Sequence, residues 1–272
     1  MIYRKGGNGM SFKKYEDTYI TIMNFSNIYK KEDFYKHDNI NWIECSSIEG
    51  TSCYCDKEAE RMIKDQISDL SPKGIHFIDS GNYHYVSEFW MEKIQEDFNL
   101  VIFDHHSDMQ KPSFGSILSC GSWVMNAIDK NSFIKNVILI GVGEEEKKLI
   151  EPKYMERIVC IDKDEFNTWE YENSEIEEYP VYISIDKDVL SEEVIDTNWS
   201  QGDMMLSELE SILHRIIAKN KVIGIDICGE CRCELDKLVE IEENNMTNLE
   251  LLEFLKKERR AARENECKFC KP

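Results

Sequence analysis

Short apolar runs rich in valine and isoleucine recur along the chain, with polar breaks between them. In most of these runs the successive residues are apolar, which indicates strands buried on both faces, as in a parallel sheet. The runs predict strands at residues 18–23, 74–78, 100–103, 136–141, 157–161, 181–185 and 222–227.

Amphipathic and charged segments at helical spacing lie between the strands. Ser207 and Glu210 form the sequence signature of a capping box at the start of one of them. Because strand and helix alternate, we expect an α/β fold with one mainly parallel sheet, built as a single domain over residues 1–272. The predicted helices span residues 56–70, 86–97, 207–219 and 248–264.

Composition and charge narrow the classes of function. The net charge of −20 disfavours nucleic-acid and membrane partners, because such a surface repels phosphates and anionic lipids. The sequence contains no run of eighteen apolar residues and no apolar segment of a signal peptide near its first residues. We therefore expect a cytoplasmic protein that acts on a small-molecule substrate.

The chain has 10 cysteines, which we expect to be mostly reduced thiols in the cytosol. Four cysteines from two close pairs could instead hold a structural zinc ion, although the spacing between the pairs is irregular. The close pairs are Cys53 with Cys55, Cys231 with Cys233, and Cys267 with Cys270.

Polar residues follow the predicted strands at the edge where parallel sheets form their ligand sites. The strand at 100–103 runs into Asp104, His106 and Asp108, and an extended backbone would place these alternating residues on one side. They could hold one metal ion or share two. A polar loop with an aspartate cap for the next helix is the alternative.

The strand at 181–185 runs into Asp186 and Asp188. Two aligned carboxylates repel each other and raise each other's pKa unless a cation lies nearby. Surface aspartates paired with Lys187 are the alternative. His84 follows a glycine turn at the start of a helix, where a histidine is usually a hydrogen-bonding residue.

Together these segments supply four carboxylates and two imidazoles. Oxygen donors with some nitrogen suit manganese and, less selectively, iron, zinc or cobalt. Two divalent ions would balance the four aspartates, and two metals about 3.5 Å apart can convert a bridging water to hydroxide near neutral pH. The sequence therefore predicts a dinuclear hydrolase with the metal ligands His84, Asp104, His106, Asp108, Asp186 and Asp188.

The order of these motifs, from a histidine after a glycine turn through Asp-x-His-x-Asp to Ser-x-Asp-x-Asp, resembles the arginase, agmatinase and formiminoglutamase family (the ureohydrolases). The resemblance covers about residues 74–230 and implies the three-layer α/β/α arginase–deacetylase-like fold with a mainly parallel, about eight-stranded sheet. It also implies two Mn²⁺ ions and, by family analogy, a homo-oligomer. By position, one manganese would be held by His84, Asp104, Asp108 and Asp186, and the other by Asp104, His106, Asp186 and Asp188.

The resemblance further assigns roles around the metals. Asp108 would orient the metal-bridging hydroxide, which attacks a guanidino, formimino or amide carbon. Glu230 is the match for the family's carboxylate that receives a substrate cation, although it falls four residues after Asp226 where three are usual. His105 replaces the alanine of the family motif. It would act either as a hydrogen-bonding residue behind the ligands or as a general acid.

Other family features are missing. The family's Asp-Pro is absent from residues 190–193, and residues 119–123 contain no histidine to shuttle protons. Three functions therefore stay open: a dinuclear hydrolase of a linear C–N bond, a mononuclear zinc deacetylase-like amidohydrolase, and a catalytically silent metal-binding relative.

Overall fold

Strands and helices alternate along the chain, as the apolar pattern predicts. The computed structural model describes residues 19–269, apart from residues 113, 114, 116, 164 and 166–177 and the side chains of residues 263 and 265–269. The strands are β1 (Ile20–Asn24), β2 (Ile40–Glu44), β3 (Tyr54–Cys55), β4 (Ile75–Phe77), β5 (Phe98–Phe103), β6 (Leu118–Ser119), β7 (Ile134–Ile140), β8 (Ile158–Ile161), β9 (Val181–Asp186) and β10 (Val222–Cys228). The helices are α1 (Lys57–Ile67), α2 (Val86–Met91), α3 (Trp123–Lys130), α4 (Glu144–Lys147), α5 (Leu206–Lys219) and α6 (Leu238–Phe269).

Eight of these strands form one sheet in the order β2-β1-β4-β10-β9-β5-β7-β8. Every neighbouring pair in it is parallel. Strands β3 and β6 pair separately as a short antiparallel ribbon. The strands β10, β9 and β5 lie at the centre of the large sheet, so residues that follow them meet at one edge.

Both faces of the sheet are covered. Along β5, Leu100 and Ile102 belong to one buried core, and Val101 and Phe103 belong to another. Helices α1, α2 and α3 contribute to the first core, and α5 and α6 contribute to the second. The result is a three-layer α/β/α architecture, which confirms the predicted fold and explains why the strands are apolar on successive residues.

Several element boundaries differ from the prediction. Strand β2 was not predicted, because polar residues (Asn41 and Glu44) interrupt the apolar residues of its sequence INWIE at the edge of the sheet. The prediction of a capping box at Ser207 and Glu210 is wrong by two residues. The Met205 N–H donates to the Glu208 carboxylate at 2.7 Å, and the helix begins at Leu206. The helix predicted to reach residue 97 ends at Met91.

The described cysteines are free thiols. Within the described side chains, neither Cys53 with Cys55 nor Cys231 with Cys233 belongs to a group of potential metal ligands. The pair Cys267 and Cys270 lies outside the described side chains. No helix in the described part of the chain is long and apolar enough to cross a lipid bilayer.

Helix α2 buries a carboxylate against α3. The side chain of Glu88 is 3% exposed, and the Asn126 amide donates to both of its oxygens at 2.6 and 2.7 Å. Burial raises the pKa of Glu88 from 4.5 to about 7, because the hydrogen bonds from Asn126 only partly offset the loss of water.

This burial makes the stability of the protein depend on pH. A raised pKa means that the folded protein holds the Glu88 proton more tightly than the unfolded chain does, so stability is lost as pH rises from about 4.5 to about 7. In metal-free protein we expect the free energy of unfolding of Glu88→Gln to rise relative to that of the wild type as pH increases across this interval. The relative increase should be no more than about 3 kcal/mol. Urea unfolding at a series of pH values measures the difference, and a difference independent of pH would contradict this account.

Candidate metal centre

The predicted ligands meet at the carboxyl ends of the three central strands. Asp104 directly follows β5, and Asp186 is the last residue of β9. In the sheet register Phe103 lies beside Ile185, and Asp186 lies beside Cys228 of β10. The parallel topology therefore brings residues that are far apart in sequence to one edge.

His84 faces three of these carboxylates. It follows a 3-10 turn at Gly81–Tyr83, and its Nδ1 lies 3.2 Å from Asp104 Oδ2, 3.1 Å from Asp108 Oδ2 and 3.6 Å from Asp186 Oδ2. Although Nδ1 is buried, it makes no well-aligned hydrogen bond within the described part of the chain. A nitrogen surrounded by carboxylate oxygens without a satisfied partner fits a ligand of a shared cation.

His106 forms a second group on the other side of Asp104. Its Nδ1 lies 2.8 Å from Asp188 Oδ2 and 3.5 Å from Asp104 Oδ1. Asp104 thus offers one oxygen to each group, the position of a bridging ligand. The six predicted residues are brought together, and their donor atoms form groups of the size that a metal ion requires.

The cluster is strongly acidic and largely closed to water. Burial raises the pKa of Asp186 and Asp108 and raises that of Asp188 to about 6. Burial also disfavours the charged form of His106, but its contacts with Asp104 and Asp188 outweigh this effect and raise the pKa of the ring to about 12. Buried carboxylates this close together need positive charge between them, which two divalent ions would supply.

Backbone geometry and one indole hold two of the carboxylates in place. Asp108 has a φ of 50°, and its Oδ2 accepts a hydrogen bond from Trp123 Nε1 at 2.5 Å. Asp186 lies against two glycines: a Cβ at Gly81 would come within 2.8 Å of Oδ2, and one at Gly229, where φ is 92°, within 2.4 Å of Oδ1. Only glycine allows the chain to pass so close to this carboxylate at both points.

Lys187, between two predicted ligands, points to the opposite layer. It is fully buried, and its Nζ lies 2.7 Å from Glu230 Oε1, 2.7 Å from Asn244 Oδ1 and 2.9 Å from Asn248 Oδ1. A surface pairing of this lysine with its neighbouring aspartates is therefore wrong. Glu230 is 0% exposed and is held by Lys187.

His105 also lies behind the ligands. Its backbone N–H donates to Asp188 Oδ1 at 3.1 Å, and its ring lies against Gly143 and Gly202. Neither His105 nor Glu230 lines the cavity at the metal cluster, as far as the described residues define it.

A cavity of about 110 Å³ opens onto the cluster. Besides the aspartates and His106, it is lined by residues from the β3–β6 ribbon and by Trp199. A larger groove of about 550 Å³ adjoins it and shares Cys53 and Trp199 with it. The cavity is lined by Cys53, Tyr54, Gly81, Asp104, His106, Asp108, Gln110, Lys111, Ser119, Cys120, Gly121, Asp186, Asp188 and Trp199.

Sequence reasoning missed several residues that hold or complete the cluster. Ser184 lies 2.9 Å from His84 Nε2, and Ser200 lies 3.0 Å from His106 Nε2, so each imidazole is oriented through its second nitrogen. Ser184 is the serine of the Ser-x-Asp-x-Asp motif, so its place beside the cluster could have been found, whereas Ser200 lies on a loop far from its partner in sequence. Cys228 could have been found, since it ends an apolar strand just before a glycine.

Comparisons with known proteins agree with this architecture. The sequence matches the arginase family model over residues 22–248. An uncharacterized protein from Thermotoga maritima is 31% identical over 239 residues, which are 88% of this chain and 91% of that protein.

Solved structures share the fold. The agmatine ureohydrolase of Thermoplasma volcanium superposes with a TM-score of 0.65 at 15% identity, over 93% of this chain and 94% of that one. A triple mutant of a T. brucei arginase-like protein bound with Mn²⁺ gives a TM-score of 0.57 at 15% identity, over 91% and 93% of the two chains.

Replacing the indole of Trp123 should change the affinity for metal without changing any of the predicted ligands. We expect Trp123→Phe to keep the ring packing but to free Asp108 Oδ2, and so to weaken Mn²⁺ binding about tenfold. Competition with a chelator measures the affinity. Trp42→Phe is the matched control, because that indole lies on β2 and donates to Glu44 at 3.5 Å rather than to a predicted ligand. Equal affinities for wild type and Trp123→Phe would show that the indole does not position Asp108.

Proposed function

Since the chain belongs to the arginase family, we propose that it is a dinuclear metal hydrolase of a linear C–N bond in a small molecule. The observation that carries the proposal is the arrangement of two ligand groups around one shared carboxylate. His84, Asp104 and Asp108 form one group, and Asp104, His106 and Asp188 form the other. Two ions that share Asp104 fit this arrangement better than one ion does.

Manganese is the metal that we propose for the pair. Aspartate oxygens with two imidazole nitrogens form a donor set that suits Mn²⁺, with Fe²⁺, Co²⁺ and Zn²⁺ as less selective occupants. The T. brucei arginase-like mutant, which shares the fold, was solved with Mn²⁺. Asp186, which lies 3.6 Å from His84 and whose Oδ1 accepts from the Asp188 N–H at 3.0 Å, would be the second bridging residue.

Two divalent ions at this cluster would supply a hydroxide near neutral pH and would polarise the group under attack. Asp108 lines the cavity, and Trp123 holds its Oδ2. Its Oδ1 would therefore orient the attacking oxygen and accept its proton. His106, held by Ser200 through Nε2, would keep Nδ1 aimed at the cluster.

The size of the cavity supports a small planar group at the reacting centre. About 110 Å³ accommodates a guanidino, formimino or amide group, and the adjoining groove of about 550 Å³ would receive the rest of the substrate. Polar side chains of that groove include Asn82, Asn198 and Arg232. The role of Glu230 in receiving a substrate cation stays a prediction. In the structure its carboxylate accepts a hydrogen bond from Lys187.

We further propose that the protein acts in the cytoplasm. Its described cysteines are free thiols, as is typical of a reducing compartment. Assembly into a homo-oligomer, expected by family analogy, is a proposal that analytical ultracentrifugation would test.

Reconstitution with Mn²⁺ tests the proposed chemistry. We expect two metal ions per chain and release of urea, ammonia or amine from at least one compound in a panel of guanidino, formimino, ureido and N-acyl substrates. Asp186→Ala removes a ligand that both metals would share, so turnover should fall to the uncatalysed background. Asp65→Ala, an exposed aspartate on α1, is the matched control and should retain full activity.

The alternatives give other results. One zinc ion per chain with release of an amine from N-acyl compounds would favour the mononuclear amidohydrolase. Two bound metals without turnover of any compound would favour the silent relative, and turnover that survives Asp186→Ala would exclude the proposed mechanism.

A further inference from the structure

A cysteine lies among the metal-binding donors. Cys228 is the last residue of β10, is 1% exposed, and its Sγ lies 3.2 Å from Asp186 Oδ2. The predicted ligands offer only nitrogen and oxygen, so this sulfur adds a different kind of donor.

The sulfur converges on the same point as two predicted ligands. His84, Asp186 and Cys228 each offer an atom within 4.8 Å of the others, as do the members of the other two groups. The oxygen of Asp186 that contacts the sulfur is also the oxygen that lies 3.6 Å from His84 Nδ1. Nitrogen, oxygen and sulfur thus surround one position, on the His84 side of the cluster.

The backbone fixes the sulfur there. Cys228 lies beside Asp186 in the sheet register, and Gly229 follows with a φ of 92°. A Cβ at Gly229 would lie 2.6 Å from the Lys187 nitrogen, so the end of β10 is pressed against the end of β9. The thiol is therefore held at the cluster by the packing of two central strands. The two thiols that line the cavity, Cys53 and Cys120, belong to no potential ligand group among the described residues.

We propose that Cys228 binds, as a thiolate, the metal ion held by His84 and Asp186, and that it makes this position prefer a thiophilic divalent ion to Mn²⁺. The inference rests on the proposed dinuclear site and revises the proposed manganese pair at one position: the His84 position takes the thiophilic ion, and the His106 position keeps Mn²⁺. When the ion binds, the S–H bond breaks, the metal–sulfur bond forms and the proton is released to solvent. Thiolate donors favour zinc, iron and cobalt over manganese, which is best suited by oxygen donors.

Cobalt binding tests the proposal without any assay of activity. Titrating metal-free protein with Co²⁺ should give a near-ultraviolet sulfur-to-cobalt charge-transfer band, which nitrogen and oxygen ligands do not produce. Its intensity should correspond to one thiolate per chain. Cys228→Ser should bind cobalt without the band, and the preference of the protein for Zn²⁺ over Mn²⁺ should fall about tenfold or more.

Cys45→Ser is the matched control. This buried thiol follows β2 and is not part of any potential ligand group among the described residues, so its replacement should leave the band unchanged. Wild-type protein that binds cobalt without the band, or Cys228→Ser that retains it, overturns the inference and leaves the dinuclear site standing. Wild-type protein that binds no divalent ion overturns the inference and the proposed function together, so the two failures are distinguishable.

Discussion

The repulsion among buried aspartates at the carboxyl edge of the sheet is the constraint on which the candidate site depends. Asp104, Asp108, Asp186 and Asp188 are all buried, and three of them have a raised pKa. Carboxylates this close cannot all ionise without cations or protons between them. The site therefore combines a rigid frame with a strong requirement for positive charge, and the rest of the structure serves to hold that frame.

The frame is held by contacts that do not themselves bind a metal. The sheet is buried on both faces, so the ends of its central strands cannot shift without disturbing two cores. Trp123 donates a hydrogen bond to Asp108, and the lack of a side chain at Gly81 and Gly229 leaves room for the carboxylate of Asp186. Lys187 anchors the segment between Asp186 and Asp188 by reaching across to α6. Preorganisation of this kind means that a metal would meet its ligands already in place.

Sequence reasoning predicted the parts of this structure that rest on strong local patterns. Apolar runs identified the central strands, and acidic residues alternating just after a strand identified Asp104 and Asp186 as neighbours. Strand β2 was missed because an edge strand whose apolar residues are interrupted by polar ones lacks that signal. The environment of Glu230 was missed for a different reason. Spacing along the chain does not tell whether a side chain after a strand turns toward the cluster or toward the opposite layer.

The buried ion pair of Lys187 and Glu230 ties the metal centre to the last helix. Asn244 and Asn248, one turn apart on α6, supply the remaining acceptors of the lysine ammonium. Without that helix, Lys187 would lose two of its three partners, and the pair would be open to water on that side. We therefore expect the ligand segment of β9 to reach its final geometry only after α6 docks. During synthesis on the ribosome, the centre would thus be completed only after α6 has emerged, which delays tight metal capture until that helix has been made.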